Sequence, residues 1–365
     1  MFKIRGMSRL FRVKNLLTSL VTKRYSSINY VVENANWVIK WEGTYITKNV
    51  EKLFNIKSTI VTNPSGIKNQ ILHFGSRGLY VPNAWRNFDR SNKIIFTWYH
   101  GNKNDPDPNN LAMIDDISIA SNICEFIHTT ANKTKELLIE WGVPKNKIVV
   151  ITEGIDLTLF KPTSKEIKEK IRKDLKIPEE SVCVGSFQKD GVGWEEGNEP
   201  KLIKGPDVFC DVVVELSKEY PIYVLLIGPA RGYVKKRLAD AGIPFYHKYL
   251  ENFQDIPKYY HALDLYLVTS REEGGPKAIV ESMASGIPII STKVGMAPDI
   301  IKDGCVGFLT DIENVDGLVE KAGRVIEDGN LRDKLINNAL NAVKDYSWEN
   351  ITREYHKKIY SKLLS

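Results

Sequence analysis

Apolar positions along the chain fall into two kinds of run. Short stretches rich in Ile, Val, Tyr and Phe predict strands at 29–32, 58–61, 70–74, 93–99, 126–129 and 148–151. A second series follows at 182–186, 223–228, 244–246, 265–268, 288–291 and 307–310. Between these runs the apolar residues recur at helical spacing, for example over 132–141, 206–216, 276–285 and 315–327. Alternation of strand and helix predicts an α/β fold with parallel sheets covered on both faces. Two such series predict two doubly wound, Rossmann-like domains, which suits a chain of 365 residues. No run offers the roughly 20 apolar residues of a spanning helix.

The segment 161–180 is dense in charge and framed by Pro162 and Pro178, so it reads as a linker entering an exposed helix. It divides a first domain at 28–160 from a second at 161–346, with a closing helix at 347–365. In such folds ligands bind beyond the carboxyl ends of the strands. The cleft between the domains is therefore the expected site.

Charge adds a third part. Residues 1–27 hold seven of the 51 Lys and Arg and none of the 45 Asp and Glu, so the remainder is one charge negative. A near-neutral body argues against a nucleic-acid reading, which needs a basic face on the folded domain. The arm itself carries Leu10, Val13, Leu17 and Leu20 at helical spacing among its basic residues. Three readings stand: an amphipathic helix lying on an anionic membrane surface, a transit peptide cleaved near 23–27, or a helix packed on the first domain. Cys124, Cys183, Cys210 and Cys305 form no CxxC pair and suit reduced, mostly buried thiols. A cytoplasmic location follows, peripheral on the inner membrane face if the arm binds lipid, or organellar if the arm is a transit peptide.

Two motifs mislead. Gly191, Gly193 and Gly197 have GxGxxxG spacing, with Glu195 and Glu196 where a pyrophosphate would sit, so a dinucleotide loop is not expected. Asp105-Pro106-Asp107 resembles a metal-binding DxD, but Asn102, Asn104, Pro108, Asn109 and Asn110 surround it, which is turn chemistry.

The informative stretch is 269–295. A strand runs into a Gly-rich loop and then a helix with Pro276 at its start. Backbone N–H groups of Gly275, Lys277 and Ala278, with the helix dipole, would favour a diphosphate there. Glu273 lies in the loop and Glu281 eight positions later, so one carboxylate can reach a sugar and the other a ribose.

Here the chain resembles the retaining GT-B glycosyltransferases of family 4, the glycosyl transferases group 1. Glu273-Gly274-Gly275-Pro276-Lys277-Ala278-Ile279-Val280-Glu281 matches their E-x7-E motif, and the likeness runs on through Met283-Ala284-Ser285-Gly286-Ile287-Pro288. Glu153-Gly154-Ile155-Asp156 at the domain crossover, Lys204-Gly205-Pro206-Asp207 and a closing helix from Trp348 agree in order. The resemblance implies a GT-B fold whose C-terminal helix packs back toward the first domain. It implies a hexosyl transfer from a nucleotide-diphosphate sugar to a hydroxyl acceptor, with no metal and no cofactor beyond the donor itself. The acceptor would be a glycan, a lipid-linked sugar or another glycoconjugate. Lys204 matches the lysine on the donor diphosphate, and Glu281 the carboxylate on the ribose. Glu273 with Gly274, Gly275, Pro276, Lys277 and Ala278 matches the part that holds the donor sugar. His100, at a strand end, is similar to the histidine beside the reaction centre. The usual arginine partner after the Gly185 strand is absent, with Lys189 nearest in its place. Glu33-Asn34-Ala35-Asn36-Trp37 stands where many relatives have a Gly-rich loop. Two other readings remain open: a different GT-B enzyme such as a nucleotide-sugar epimerase or phosphorylase, and a non-catalytic module that binds sugar nucleotide or membrane.

Overall fold

A computed structural model describes residues 25–34, 38–80, 88–105 and 107–364. Of the basic arm, residues 1–24 lie outside the described residues, as do Ala35, Asn36 and Trp37 after the first strand and Pro106 of the DxD-like segment. Among the described residues the β-branched runs form twelve parallel strands in two sheets. The first sheet holds β1 (Ser27–Val31), β2 (Lys57–Val61), β3 (Ile71–Phe74), β4 (Lys93–Thr97), β5 (Phe126–Thr129) and β6 (Ile148–Val150), in the order β2-β1-β3-β4-β5-β6. The second holds β7 (Val182–Phe187), β8 (Ile222–Ile227), β9 (Phe245–Lys248), β10 (Leu265–Val268), β11 (Ile289–Thr292) and β12 (Phe308–Thr310), in the order β12-β11-β10-β7-β8-β9. Central strands such as β8 are buried at every position, as a sheet covered by helices on both faces requires. Strand order reverses between β7 and β10, and a crevice opens at such a switch point beyond the strand ends.

Differences from the sequence reading lie at element ends. Strand β4 stops at Thr97, so Tyr99 and His100 are irregular chain beyond the sheet edge. The helix expected from 276 begins at Ala278, leaving Pro276 and Lys277 in the loop. The helix Lys165–Asp174 after the first domain is mostly exposed, but Arg172 turns inward to Asp264 at 2.7 Å. All four cysteines are free, and Cys124, Cys183 and Cys210 are buried.

The chain returns to the first domain at its end. Ile155 N–H donates to the Tyr346 carbonyl, and Trp348 N–H donates to the Ile155 carbonyl. From there the helix Trp348–Tyr355 runs through a π-turn at His356–Tyr360 and lays Trp348, Ile351, Tyr355, Ile359, Tyr360 and Leu363 into one core with Ile28, Tyr30, Ile39 and Val50. The Trp348 indole stacks on Tyr45, with centroids 5.2 Å apart. Under this helix His73, Thr97 and His128 form a buried polar chain closed by Tyr360 and Tyr355. Burial disfavours the charged imidazoles, lowering His73 well below the usual range and His128 to about 4.

Candidate active site

At the β7/β10 switch point two loops are fastened to each other. Arg271 and Glu272 both donate their backbone N–H to the Ile203 carbonyl, at 2.8 and 3.0 Å. The Thr269 hydroxyl donates to the Gly205 carbonyl at 2.9 Å, and the Arg271 guanidinium grips both carboxylate oxygens of Asp207. Gly205 adopts φ +62°, and a Cβ there would collide with the Thr269 carbonyl, so only glycine permits this approach. The fastening places Lys204 Nζ 2.6 Å from Glu273 Oε1, which also accepts from the Ser270 hydroxyl at 3.1 Å.

Lys204 stands among other cations. A 3₁₀ turn over Leu202–Lys204 brings Lys201 close by. Burial, then the charges of Lys204 and Lys189, lower Lys201 below the ordinary lysine range, so Lys201 stands near both of the other ammonium groups. Burial also lowers Lys189, whose Nζ lies 4.1 Å from the Trp194 ring centroid. Lys201 escaped the sequence reading, although its i,i+3 spacing from Lys204 was the available signal.

Trp194 belongs to the GxGxxxG segment, which is a hairpin closed by an antiparallel bridge from Gly191 to Pro200. Gly232 and Tyr233 donate their N–H groups to the Glu196 and Gly197 carbonyls, so this hairpin caps the helix Gly232–Asp240. Behind it Asp190 and Arg231, each 1% exposed, are joined at 2.9 Å. In the DxD-like segment Asp107 caps the helix Pro108–Ile123, and Asp105 accepts from Asp107 N–H and Asn110. Among the described residues no group of three or more His, Cys, Asp and Glu could hold a metal ion.

The helix Ala278–Ser285 starts five residues after Glu273, the partner of Lys204. Glu281 in its first turn is 4% exposed and accepts from the Tyr260 hydroxyl at 2.8 Å. Burial outweighs that hydrogen bond and the Lys277 charge and pushes the carboxyl up to about 7. The Lys277 side chain turns away from the lysines. Its ammonium sits 3.0 Å from both Glu42 and Glu153, carboxylates of the first domain, and 5.0 Å from the Trp348 ring. Burial and the neighbouring Glu42 charge raise Glu153 to about 8. Glu153 stood out from sequence only as part of the 153–156 crossover segment and Glu42 not at all, since nothing local links positions 42, 153 and 277.

Across the cleft the first domain presents His100. Its Nδ1 lies 2.7 Å from Glu272 Oε1, one residue before the E-x7-E motif. A Cβ on Gly274 would meet the Tyr99 carbonyl at 2.5 Å, so the second glycine-dependent contact sets the two domains backbone to backbone. Arg77, at the end of β3, donates to the His100 carbonyl and lies 4.7 Å over the Trp98 ring. The structure thus brings His100, Glu273, Lys204 and the 274–278 loop to one cleft, with Lys189 and Lys201 on its rim and Glu281 in its wall.

This geometry has relatives. Residues 200–342 match the family model described as glycosyl transferases group 1. D-inositol 3-phosphate glycosyltransferase of Corynebacterium aurimucosum is 24% identical over 243 residues, which are 61% of this chain and 53% of that protein. The lipopolysaccharide core biosynthesis mannosyltransferase LpsB of Rhizobium meliloti is 26% identical over 189 residues, 49% of this chain and 50% of that protein. The chain spans about half the length of these curated relatives. Among solved structures, Anabaena Alr3699/HepE in complex with UDP superposes with a TM-score of 0.72 at 18% identity, covering 92% of this chain and all of the other. A glycosyltransferase from Rickettsia africae gives 0.72 at 19% identity over 94% of this chain and all of the other. The chain therefore has the GT-B fold of these structures, and its residues 200–342 match the glycosyl transferases group 1 family model.

Proposed function

We propose that this protein transfers a hexosyl group from a nucleotide-diphosphate sugar to a hydroxyl acceptor with retention of configuration. The observation that carries the reading is the Lys204–Glu273 pair, held at 2.6 Å by two interlocked loops at the β7/β10 switch point. A diphosphate entering there would take Lys204 from Glu273 and gain Lys201, Lys189 and the N–H groups that begin the Ala278–Ser285 helix. Glu273, released, can accept hydroxyls of the donor sugar, and Glu281 those of the ribose. The base would lie toward 246–249 at the end of β9.

As the glycosidic bond breaks, negative charge grows on the departing phosphate. Three fixed lysines and a helix start stabilise that charge electrostatically, so the scheme calls for no metal ion. The same phosphate can take the acceptor's proton as the acceptor attacks from the face the leaving group has just left. That front-face route retains configuration and asks the protein mainly for positioning.

UDP complexes of the Anabaena neighbour make UDP-sugars the first donors to screen. The inositol-phosphate and lipopolysaccharide-core relatives make polyol and glycolipid acceptors the first to pair with them. The decisive experiment is product mass spectrometry after incubation with a donor panel and these acceptors. A glycosylated acceptor together with nucleoside diphosphate supports the reading, and isomerised donor or phosphate-dependent cleavage without acceptor would overturn it. The arm at 1–27 would tether the enzyme to anionic membrane. Among the described residues no helix is long and apolar enough to cross a bilayer. Equal co-sedimentation with anionic vesicles with and without residues 1–27 would remove the tether.

A further inference from the structure

The E-x7-E spacing fixes Glu273 and Glu281 and is silent about the residue before it. Glu272 is placed with equal care. Its backbone N–H is bound to the Ile203 carbonyl at 3.0 Å, so its position follows from the same loop lock that sets Lys204. Its carboxylate lies 2.7 Å from His100 Nδ1, with side chains 16% and 31% exposed. Burial works against the Glu272 charge, yet the hydrogen bond and charge of His100, with the Arg77 charge and a hydrogen bond from Asn102, hold it below the usual carboxylate range.

An ionised carboxylate can only accept, so His100 must carry its hydrogen on Nδ1. Nε2 is then the ring atom left for another partner, and no described residue hydrogen-bonds it. The surroundings keep the ring in place. Arg77 holds the His100 carbonyl and also reaches Asn110, which in turn donates to Asp105. The charged group that acts on the pair is Arg77, which itself stands near Asp105.

We propose that Glu272 is a positioning residue for the transfer, fixing the His100 ring and its Nδ1–H tautomer so that Nε2 is offered to the reacting sugar. The proposal rests on the glycosyltransferase reading above. Glu272 comes from the donor domain and His100 from the acceptor domain. Their pairing therefore completes the site only when the domains face each other at this separation, and opening the cleft would take the orienting carboxylate away.

The test uses the full chain with Glu272→Leu, which removes the acceptor at similar size, and Glu272→Asp, which restores it. With UDP-glucose as donor, Glu272→Leu should lower kcat about 10- to 100-fold, the scale on which metal-bound histidines suffer from losing an orienting carboxylate. KM for UDP-glucose should stay within about threefold, and Glu272→Asp should recover most of kcat. In histidine-labelled protein, the ring ¹⁵N shifts of His100, identified by their loss in His100→Ala, should report Nδ1–H in the wild type and the other tautomer or a mixture in Glu272→Leu. Unchanged ring shifts in Glu272→Leu, or equal loss of kcat in the Leu and Asp variants, would overturn the proposal. The underlying reading fails separately: a wild type that binds no nucleoside diphosphate or nucleotide sugar of the donor panel by calorimetry sinks the donor site, while the ring shifts still report on the pair.

Discussion

Lys204 and Lys277 stand on the same edge of the second sheet, and their side chains are almost equally exposed, at 20% and 17%. Exposure does not separate them; partners do. Lys204 has one carboxylate and a lysine neighbour, Lys201, which itself feels Lys189, an excess of positive charge that an incoming phosphate can relieve. Lys277 has two carboxylates and an indole, and its charge is spent on joining the domains. A lysine with surplus cationic company is built for a ligand, and one with surplus anionic company is built for structure.

Replacing each lysine should separate the two roles. Lys277→Ala leaves Glu42 and Glu153 buried without their cation, and it should cost about 3–5 kcal/mol of stability in urea unfolding. The loss should shrink on going from pH 8 to pH 5, where a protonated Glu153 no longer repels Glu42. Wild-type stability in this variant would refute the structural role. Lys204→Ala should instead lower kcat/KM about 10²- to 10³-fold with an unchanged unfolding midpoint, since it removes a group aimed at leaving-group charge.

Glu281 lies between these extremes, buried yet in the donor wall. Glu281→Gln should weaken UDP binding by about 1.5–3 kcal/mol, the scale of a charged hydrogen bond. With its carboxyl raised to about 7, UDP affinity in the wild type should improve as pH rises through 7, and the variant should be flat. Calorimetry across pH 6–8 distinguishes the two.

The same carboxyls bear on stability. Glu153 and Glu281 titrate near 8 and 7 when folded against an ordinary value of 4.5, so the folded chain holds more protons over that interval. Stability should therefore fall as pH rises through it. His73 and His128 act in reverse: folded values below 6.5 mean that the unfolded chain binds more protons there, and stability falls as pH drops from 6.5 toward 4. Above pH 6.5 only the carboxyl slope remains. Denaturation midpoints should decline from pH 6.5 to 8, and Glu153→Gln should flatten the decline. The smallest expected effect is at Trp194. Removing its indole from Lys189 in Trp194→Ala frees an ammonium held by about 0.5–1 kcal/mol, and UDP should bind a fewfold tighter.

Patterns of short range were legible in the sequence. Runs such as Ile222–Ile227 announce buried strands, and the Gly-rich loop with Glu273 and Glu281 fixes where a strand meets a helix. Element ends were less so. Tyr99 and His100 follow an apolar run, but the strand ends at Thr97, and the Gly274 loop of the other domain packs against the Tyr99 carbonyl beyond it. Contacts between distant segments had no local signature. Glu42 lies 235 positions before Lys277, and His100 lies 172 before Glu272, so their pairing exists only once both sheets are built. The Lys189 environment was equally hidden, since it depends on a hairpin that folds Trp194 back onto it.

The closing helix has a consequence in time. Trp348, Tyr355, Tyr360 and Leu363 complete a core whose other members, from Ile28 to Ile151, are made first. During synthesis at 5–20 residues per second, the first domain waits roughly 10–40 s for its last wall while about two hundred residues of the second are added. Its apolar face stays open for that interval. The order of translation thus makes the first domain the last to finish folding.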